Sequence, residues 1–500
     1  MSVEPSTPVV VAAGAVTHHP GEGFVPTSAT ALMLEAAHDG LAALGPSGHE
    51  VGRRVGGVWV PHGTWPEADP GRAVAAAVGA PSARSVLGEL GVLQHSLLAR
   101  AARAVAEGSM EVALVAGGEN RWSGVVAGKG GETVPAAPST ATEGEPDEVL
   151  TPDEMIISSV EIERDLTTAA HQYAIIESAL RHHDGRSVDA HRAFLGELWG
   201  RFAAIAAATP SAWDRRGLSP DAITTVSDSN RLIAAPYPKW LVSQWNVDQA
   251  AAVFGTTPAT AERLGVPRDR WVFPLAMAES NLVVPLPERA DLHRWPALAV
   301  CGDRALDASG VALGDIGPVD LYSCFPAAVQ VAARELSLGL ERDLTLTGGM
   351  TFGGGPFDNY VLQSVVAMVE RCRADGPDVV GLTTAVSGLL TKPAVTVWSA
   401  GDPRRATEIL DVTEAARRAT ATKPVDPEAV GSGVVVGHTV VPRREGGSRV
   451  IAVVDVGSPG ATGVRTVGLC DDEAEVACFL AEDLVGRQVE LTAPGVLTTG

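Results

Sequence analysis

The chain reads as an α/β protein with a duplicated core and a small β-rich tail. Three observations predict this. Apolar β-branched runs alternate with amphipathic helices up to residue 399. The order of elements in 85–117 recurs in 345–384, and residues 430–500 alternate short apolar runs with turns.

Residues 8–14 (PVVVAAG) form a buried first strand ended by glycine, and Pro26, Thr27 and Ser28 open a helix that runs to about 44. A second strand covers 55–60, a helix 71–79 and a third strand 85–87. The helix at 91–106 carries an apolar stripe at Val92, Leu93, Leu97, Leu98, Ala101 and Val105, and 111–117 (EVALVAG) is a fourth strand. This alternation indicates parallel βαβ units with helices covering the sheet. Periodicity fails over 119–170, where 128–148 (GKGGETVPAAPSTATEGEPDE) reads as a surface excursion. A helical region follows at 171–207, with Phe194, Leu198, Trp199 and Phe202 on one face. It holds His171, His182, His183 and His191; the adjacent pair points to different faces, so no metal site is expected. Residues 231–267 return through a loop to a strand at 250–254 and a helix at 258–264.

The second half opens with a helix at 292–309 and reaches its most distinctive stretch at 316–364. This reads as a buried strand (319–322), a turn, a helix, a second short strand, a glycine-rich loop and a second helix. Tyr322, Ser323 and Cys324 stand at the first strand-to-helix junction, and Asp358, Asn359 and Tyr360 at the second. Ligands of open α/β sheets sit outside the carboxyl ends of strands, where these junctions lie. Strands at 379–384 and 394–398 close the half, and both halves carry a VLQ helix segment, at 92–94 and 361–363. The expected division is 1–290 for the first half, with a loop excursion near 119–250, and 291–400 for the second. A helix and linker at 401–428 then lead to an additional C-terminal β-domain at 429–500, barrel-like with one helix at 472–482.

A formal charge of −22 argues against nucleic acid or anionic membrane as partners, since both need basic patches. No apolar run reaches the length of a membrane span, and the N-terminus lacks a basic region before an apolar core, so a soluble, cytoplasmic protein is expected. The five cysteines are scattered without CxxC spacing, which fits reduced thiols and no zinc.

Several segments together resemble the thiolase superfamily, type-1 thiolase-like proteins in particular. NVDQAAAVFGTTPATAERLGVP (246–267) is similar to its Asn-Asp-Gly-Ala-Ala-Ala segment, and AVAEGSMEVALVAGGEN (104–120) to the strand after its nucleophile helix. VDLYSCFPAA (319–328) stands at the position of its Asn-Glu-Ala-Phe motif and GGGPFDNY (353–360) at that of its Gly-His-Pro loop. The resemblance spans roughly 8–399, with the tail similar to an extra C-terminal domain. It implies a duplicated five-layered αβαβα core, a small barrel-like (OB-like) domain, and coenzyme A thioesters as substrate or ligand.

The departures are chemical. The family's nucleophilic cysteine opens the helix that here begins near Gly91, where Gly88, Glu89, Leu90 and Gly91 stand; the first cysteine of the chain is Cys301. Gly-His-Pro has become Gly354, Gly355, Pro356, the second cysteine is absent from 384–387, and Tyr322 replaces the motif's Asn. Acyl transfer through an enzyme thioester needs a nucleophile and an activating base, so ordinary thiolase chemistry is not expected. The candidate catalytic residues are Tyr322 and Tyr360, as phenols able to donate or exchange a proton, with Cys324, His95 and Glu89 nearby in sequence pattern. Arg231 and Lys239, flanking a PYP turn, are candidates for holding CoA phosphates, and Gly354 and Gly355 for close backbone approach to the ligand. Two readings stay open: an enzyme acting on acyl-CoA, acyltransferase-like or forming or cleaving C–C bonds, and a non-catalytic acyl-CoA-binding or scaffold protein. The C-terminal domain is a candidate surface for a protein partner.

Overall fold

The computed structural model describes residues 3–21, 23–131, 133–134, 144–457 and 463–499. The centre of the surface excursion expected at 128–148 lies outside the described residues. In chain order the strands are β1 (Val9–Thr17), β2 (Val55–Pro61), β3 (Arg84–Gly88), β4 (Val112–Asn120), β5 (Glu148–Leu150), β6 (Leu232–Ala234), β7 (Tyr237–Pro238), β8 (Asp248–Thr256) and β9 (Phe273–Glu279). They continue with β10 (Ile316–Asp320), β11 (Val380–Ser387), β12 (Lys392–Ser399), β13 (Glu408–Asp411), β14 (Gly431–Pro442), β15 (Ser448–Val456), β16 (Val464–Cys470), β17 (Gln488–Ala493) and β18 (Val496–Thr498). One sheet has the order β1-β8-β4-β2-β3-β5, a second β10-β11-β12-β9-β13, and the last five strands close into a barrel.

The parallel units expected from the sequence are present in β2, β3, β4 and β5, whose pairings with one another are all parallel. β8 runs antiparallel to both β1 and β4. Helices Gln94–Ala106 and Tyr360–Asp375 lie between the two sheets. Their stripes, Leu97, Leu98 and Val105 against Val361, Val365 and Val369, share one core cluster with Trp59 and Val86 of the first sheet and Ala385 and Trp398 of the second. That is the middle layer of a five-layered αβαβα core. Each such side chain contributes ~2 kcal/mol by leaving water, so the layer is held mainly by apolar burial. Outer helices, Ala29–Ala42 on the first sheet and Pro296–Ser309 on the second, bury Leu32, Met33, Leu298 and Cys301.

Three expectations need correction. The linker expected at 401–428 contributes β13, which joins the edge of the second sheet parallel to β9, and a short helix at Thr413–Ala419. β9 itself, FPLAMAE, has no β-branched residue, so composition did not mark it as a strand; it is buried along its whole length. The short strand expected before the glycine-rich loop is absent. There the buried Asp320 carboxylate accepts from Leu346 N–H at 2.7 Å and Thr345 Oγ1 at 3.1 Å, which bends the segment into turns.

The barrel docks on the long helix at Ala169–His183. His438 N–H donates to Ser178 Oγ at 2.8 Å, and Arg181 Nη2 to Asp483 at 2.9 Å. Gly437 makes the contact possible, since a Cβ there would lie 2.8 Å from Leu292 and 2.9 Å from Ile175. Among the described residues no helix is long and apolar enough to cross a membrane.

Candidate functional site

Three neighbouring parallel strands end at the same rim of the first sheet, and a polar residue follows or closes each. His62 follows β2 and Glu89 follows β3, with His62 Nδ1 3.1 Å from Glu89 Oε2. Glu119, near the end of β4, is fully buried; it accepts from Thr64 N–H at 3.0 Å. Gly63 is required beside it, because a Cβ there would stand 2.6 Å from Glu119 Oε1 and 2.3 Å from Trp65 Nε1. Burial raises the Glu119 carboxyl above the ordinary range, and the Thr64 hydrogen bonds work against that rise.

The second half closes over this rim from above. The glycine-rich loop delivers Asp358, whose N–H donates to Glu119. Burial, and then the Glu119 charge, push the Asp358 carboxyl up to about 8, against a hydrogen bond from Gln94; Glu89 adds to the rise. Gln94 also accepts from Val361 N–H at 3.1 Å, so it ties the N-termini of both central helices to the site. Next to Asp358, Asn359 is fully buried, and neither its amide nitrogen nor its oxygen has a partner among the described residues. Such orphans cost ~1–3 kcal/mol each and concentrate where function retains them.

Tyr322 enters from the end of β10, its N–H donating to Thr384 Oγ1 at 2.8 Å. Its ring meets Tyr360 edge-on, centroids 5.7 Å apart at 88°. Burial lifts the Tyr322 hydroxyl well above its ordinary range, and the Cys324, Asp358 and Tyr360 groups lift it further, so it is a neutral phenol with a proton to donate. Tyr360 is committed elsewhere: its hydroxyl donates to Asp320 at 3.1 Å and lies 3.0 Å from Thr347 Oγ1. The two tyrosines are thus adjacent, one available and one a strut of the 345–349 turn.

The remaining candidates from the sequence fall in different places. Cys324 is buried against Tyr173, and burial pushes its thiol up to about 12, far from a thiolate at neutral pH. His95 has both ring nitrogens engaged, 2.8 Å from Glu279 and 2.9 Å from Thr396, and ties its helix to two neighbouring strands of the second sheet. Arg231 is exposed and Lys239 half-buried on one turn, joined by Lys239 N–H to Arg231 O at 3.0 Å. Lys239 Nζ and Arg216 Cζ both lie over the Trp240 ring, at 4.4 and 4.5 Å. Arg121, whose charge holds Glu119 down, lies 3.7 Å over Trp245, and Trp245 approaches Phe357. His62, Glu119, Gln94 and Arg121 went unnoticed in the sequence; the signal for the first two was a polar residue at the end of a buried strand.

The altered positions are sterically filled. A Cβ at Gly355 would lie 2.1 Å from Ser243 Oγ, and one at Gly354, with φ of +106°, 2.2 Å from Gln249 Oε1. Gly91 sits under Pro152 and Ile156, whose carbons come within 3.2 and 3.5 Å of a Cβ built there. Its carbonyl accepts from Ser387 Oγ at 3.1 Å and Lys392 Nζ at 3.0 Å.

No protein-family model and no curated protein sequence matches the chain. Solved structures do. A monomeric SCP2-thiolase-like protein type 1 from Mycobacterium smegmatis is 27% identical, with a TM-score of 0.83 and full coverage of both chains. The chain has the thiolase-superfamily fold. Two further thiolase-fold structures cover the core without the whole length. An acetyl-CoA acetyltransferase from Syntrophomonas wolfei is 16% identical at TM-score 0.57, over 79% of this chain and 100% of its own. The Ltp2-ChsH2(DUF35) aldolase is 18% identical at TM-score 0.55, over 80% of this chain and 99% of its own. This thiolase-like chain therefore carries the family core with a different set of polar groups at its strand ends.

Proposed function

We propose that the protein binds an acyl-CoA thioester and makes or breaks a carbon–carbon bond beside its carbonyl, with no acyl-enzyme. The observation that carries this reading is the convergence of Tyr322, Asp358, Glu119 and the His62–Glu89 pair at one strand-end rim. A phenol and a carboxylic acid protonated to about pH 8 are donors for a developing enolate oxygen and carbon. The ionised member of the cluster serves as the base. For a 3-hydroxyacyl thioester, the base takes the hydroxyl proton, the Cα–Cβ bond breaks, and its electrons form the enolate of the shorter thioester. Tyr322 donates a hydrogen bond to that enolate oxygen, and Asp358 supplies the proton to carbon. The products are a carbonyl compound and a shorter acyl-CoA; the reverse sequence joins them. Lys239, Arg216 and Arg231 are the cations we assign to the CoA phosphates. A protein partner at the barrel belongs to the same proposal, supported by its exposed Val430, Leu480 and Val496.

The second reading is acyl-CoA binding without turnover, and one observation favours it: Pro152 and Ile156 cover Gly91, the place where the family holds its nucleophile. Calorimetric titration with acetyl-CoA, a longer acyl-CoA and a 3-hydroxyacyl-CoA, beside assays for carbonyl product and free CoA, separates the two. New carbonyl product, lost in Tyr322→Phe, supports the first reading. Binding without product supports the second. Millimolar CoA that leaves the melting temperature unchanged argues against both.

A further inference from the structure

The turn between β11 and β12 forms part of a second cleft, of about 280 Å³, walled by Arg289, Arg294, Trp295, Ala297, Thr391 and Ala421 among others. Arg289 is 6% exposed. Its Nε donates to Val284 O at 3.1 Å and its Nη2 to Leu389 O, while Nη1 has no partner among the described residues. Glu161 is the carboxylate that acts on it most, but the Glu161 oxygens already accept from Ser158 N–H at 2.7 Å and Leu286 N–H at 2.9 Å. Burial lowers the guanidinium only to about 10, so it remains a cation at neutral pH. An unpaired buried cation in a cleft wall is costly unless something anionic meets it.

The same cleft receives a helix N-terminus. The helix Pro296–Ser309 has no side-chain cap and a proline at its first position, so Ala297 in the cleft wall contributes one of its free N–H groups. Arg294 adds a second guanidinium at the rim, bound to Glu335 at 2.7 and 3.0 Å. The opposing charge in the wall is Asp291. The walls are fixed by backbone pairing, with Ala290 N–H donating to Ala421 O at 3.2 Å and Lys423 N–H to Glu288 O at 2.8 Å.

We propose that this cleft binds a small oxyanion, a carboxylate or phosphate group, on Arg289 and the N-terminus of the Pro296 helix. The proposal stands independently of the acyl-CoA chemistry. It also has a consequence for the site. Arg289 holds Leu389 O, Leu390 next to it is left-handed at φ +59°, and the flanking Ser387 and Lys392 both bind the Gly91 carbonyl. An anion on Arg289 therefore stiffens the turn that borders the catalytic rim.

The test is thermal melting and calorimetry of the full chain with inorganic phosphate and with acetate, at constant ionic strength set by sodium chloride. Saturable binding of one of them is expected, weakened at least tenfold in Arg289→Gln, together with slower hydrogen exchange at 388–391. Because Arg289→Gln removes two structural hydrogen bonds, Ala421→Glu provides a second arm. Residue 421 is exposed at the rim, and the substitution sets a carboxylate in the cleft, so the fold is expected to persist and the anion effect to vanish. Phosphate displaced by CoA assigns the oxyanion to a cofactor phosphate; phosphate unaffected by CoA assigns it to a free anion. Absence of binding in the native chain, or binding in both variants as tight as in the native chain, overturns the proposal.

Discussion

Asp358→Asn removes the most displaced carboxyl at the rim while keeping its shape and an acceptor for Gln94. The ordinary carboxyl titrates near ~4, and burial with the Glu119 charge moves Asp358 to about 8. Between those values the folded protein holds a proton that the unfolded chain has released. Stability therefore falls as pH rises from about 4 to 8 and is flat on either side. At about 1.4 kcal/mol per unit this amounts to ~4 kcal/mol at pH 7, and partial solvent screening of a side chain at the rim reduces it to ~2 kcal/mol. Asp358→Asn is thus expected to stabilise the protein by ~2 kcal/mol at pH 7, more at pH 9 and little at pH 4. Urea unfolding of both proteins at pH 5, 7 and 9 measures the difference. On the proposed mechanism the same proton governs activity, so turnover of the native chain is expected to fall as pH passes about 8 and Asp358→Asn to lose turnover at every pH. A stability difference that is the same at pH 5 and 9 refutes the reasoning, since it means that Asp358 ionises normally in the fold.

The other predictions concern single positions. Tyr322→Phe lowers turnover by roughly 100-fold or more without weakening CoA binding, as steady-state rates and calorimetry together can check. Gly355→His collides with Ser243 and costs ~1–3 kcal/mol, seen as a lower melting temperature, and leaves thiolysis absent. Burial and the Arg181 charge hold the His438 imidazole down to about 3, so the folded state binds fewer protons than the unfolded one below pH ~6.5. Stability then declines as pH falls from that point toward 3, by up to about 1.4 kcal/mol per unit. Melting of His438→Gln against the native chain at pH 7 and 4.5 should show the difference between them shrinking or reversing in acid.

The core was legible because its signal is local. The stripe on 91–106 and the apolar runs at 8–14, 55–60 and 111–117 state which faces are buried, and the repeated element order in 345–384 states that there are two such sheets. β9 and β13 were hidden for opposite reasons. β9 is buried on both faces and alternates with nothing, and β13 is a four-residue edge strand set in polar sequence. At the site, the sequence singled out Tyr322 by its strand-to-helix junction and Glu89 by its nearness to the position of the family's nucleophile. It could not separate Tyr322 from Tyr360, because the difference lies in Asp320, a partner 40 residues from Tyr360 along the chain. Asp358 stood out only as a polar residue at a junction; its displacement comes from burial and then from Glu119 of the other half, neither of which a local pattern carries.

The filled positions bear on how the two halves of the fold relate to the chemistry. A family enzyme with a histidine at the glycine loop needs a vacant volume there, and in this protein Ser243 Oγ occupies it from the 243–247 segment, whose Gln244 O accepts from Gly355 N–H at 2.9 Å. A thiol at residue 91 would need both room beneath Pro152 and Ile156 and a residue other than glycine at φ +96°. Gly355 and Gly91 are thus each closed off by side chains from a different segment, so a histidine or a thiol there would require a second change as well. The polar groups at the rim are held by contacts between the two halves, Gln94 to Val361 and Asp358 to Glu119, and by Tyr322 to Thr384 within the second half. The packing of the two halves buries the strand-end rim, so that desolvation first and the Glu119 charge second raise the Asp358 carboxyl. The acid–base work of the proposed function then requires no thiol, only that the two halves stay packed.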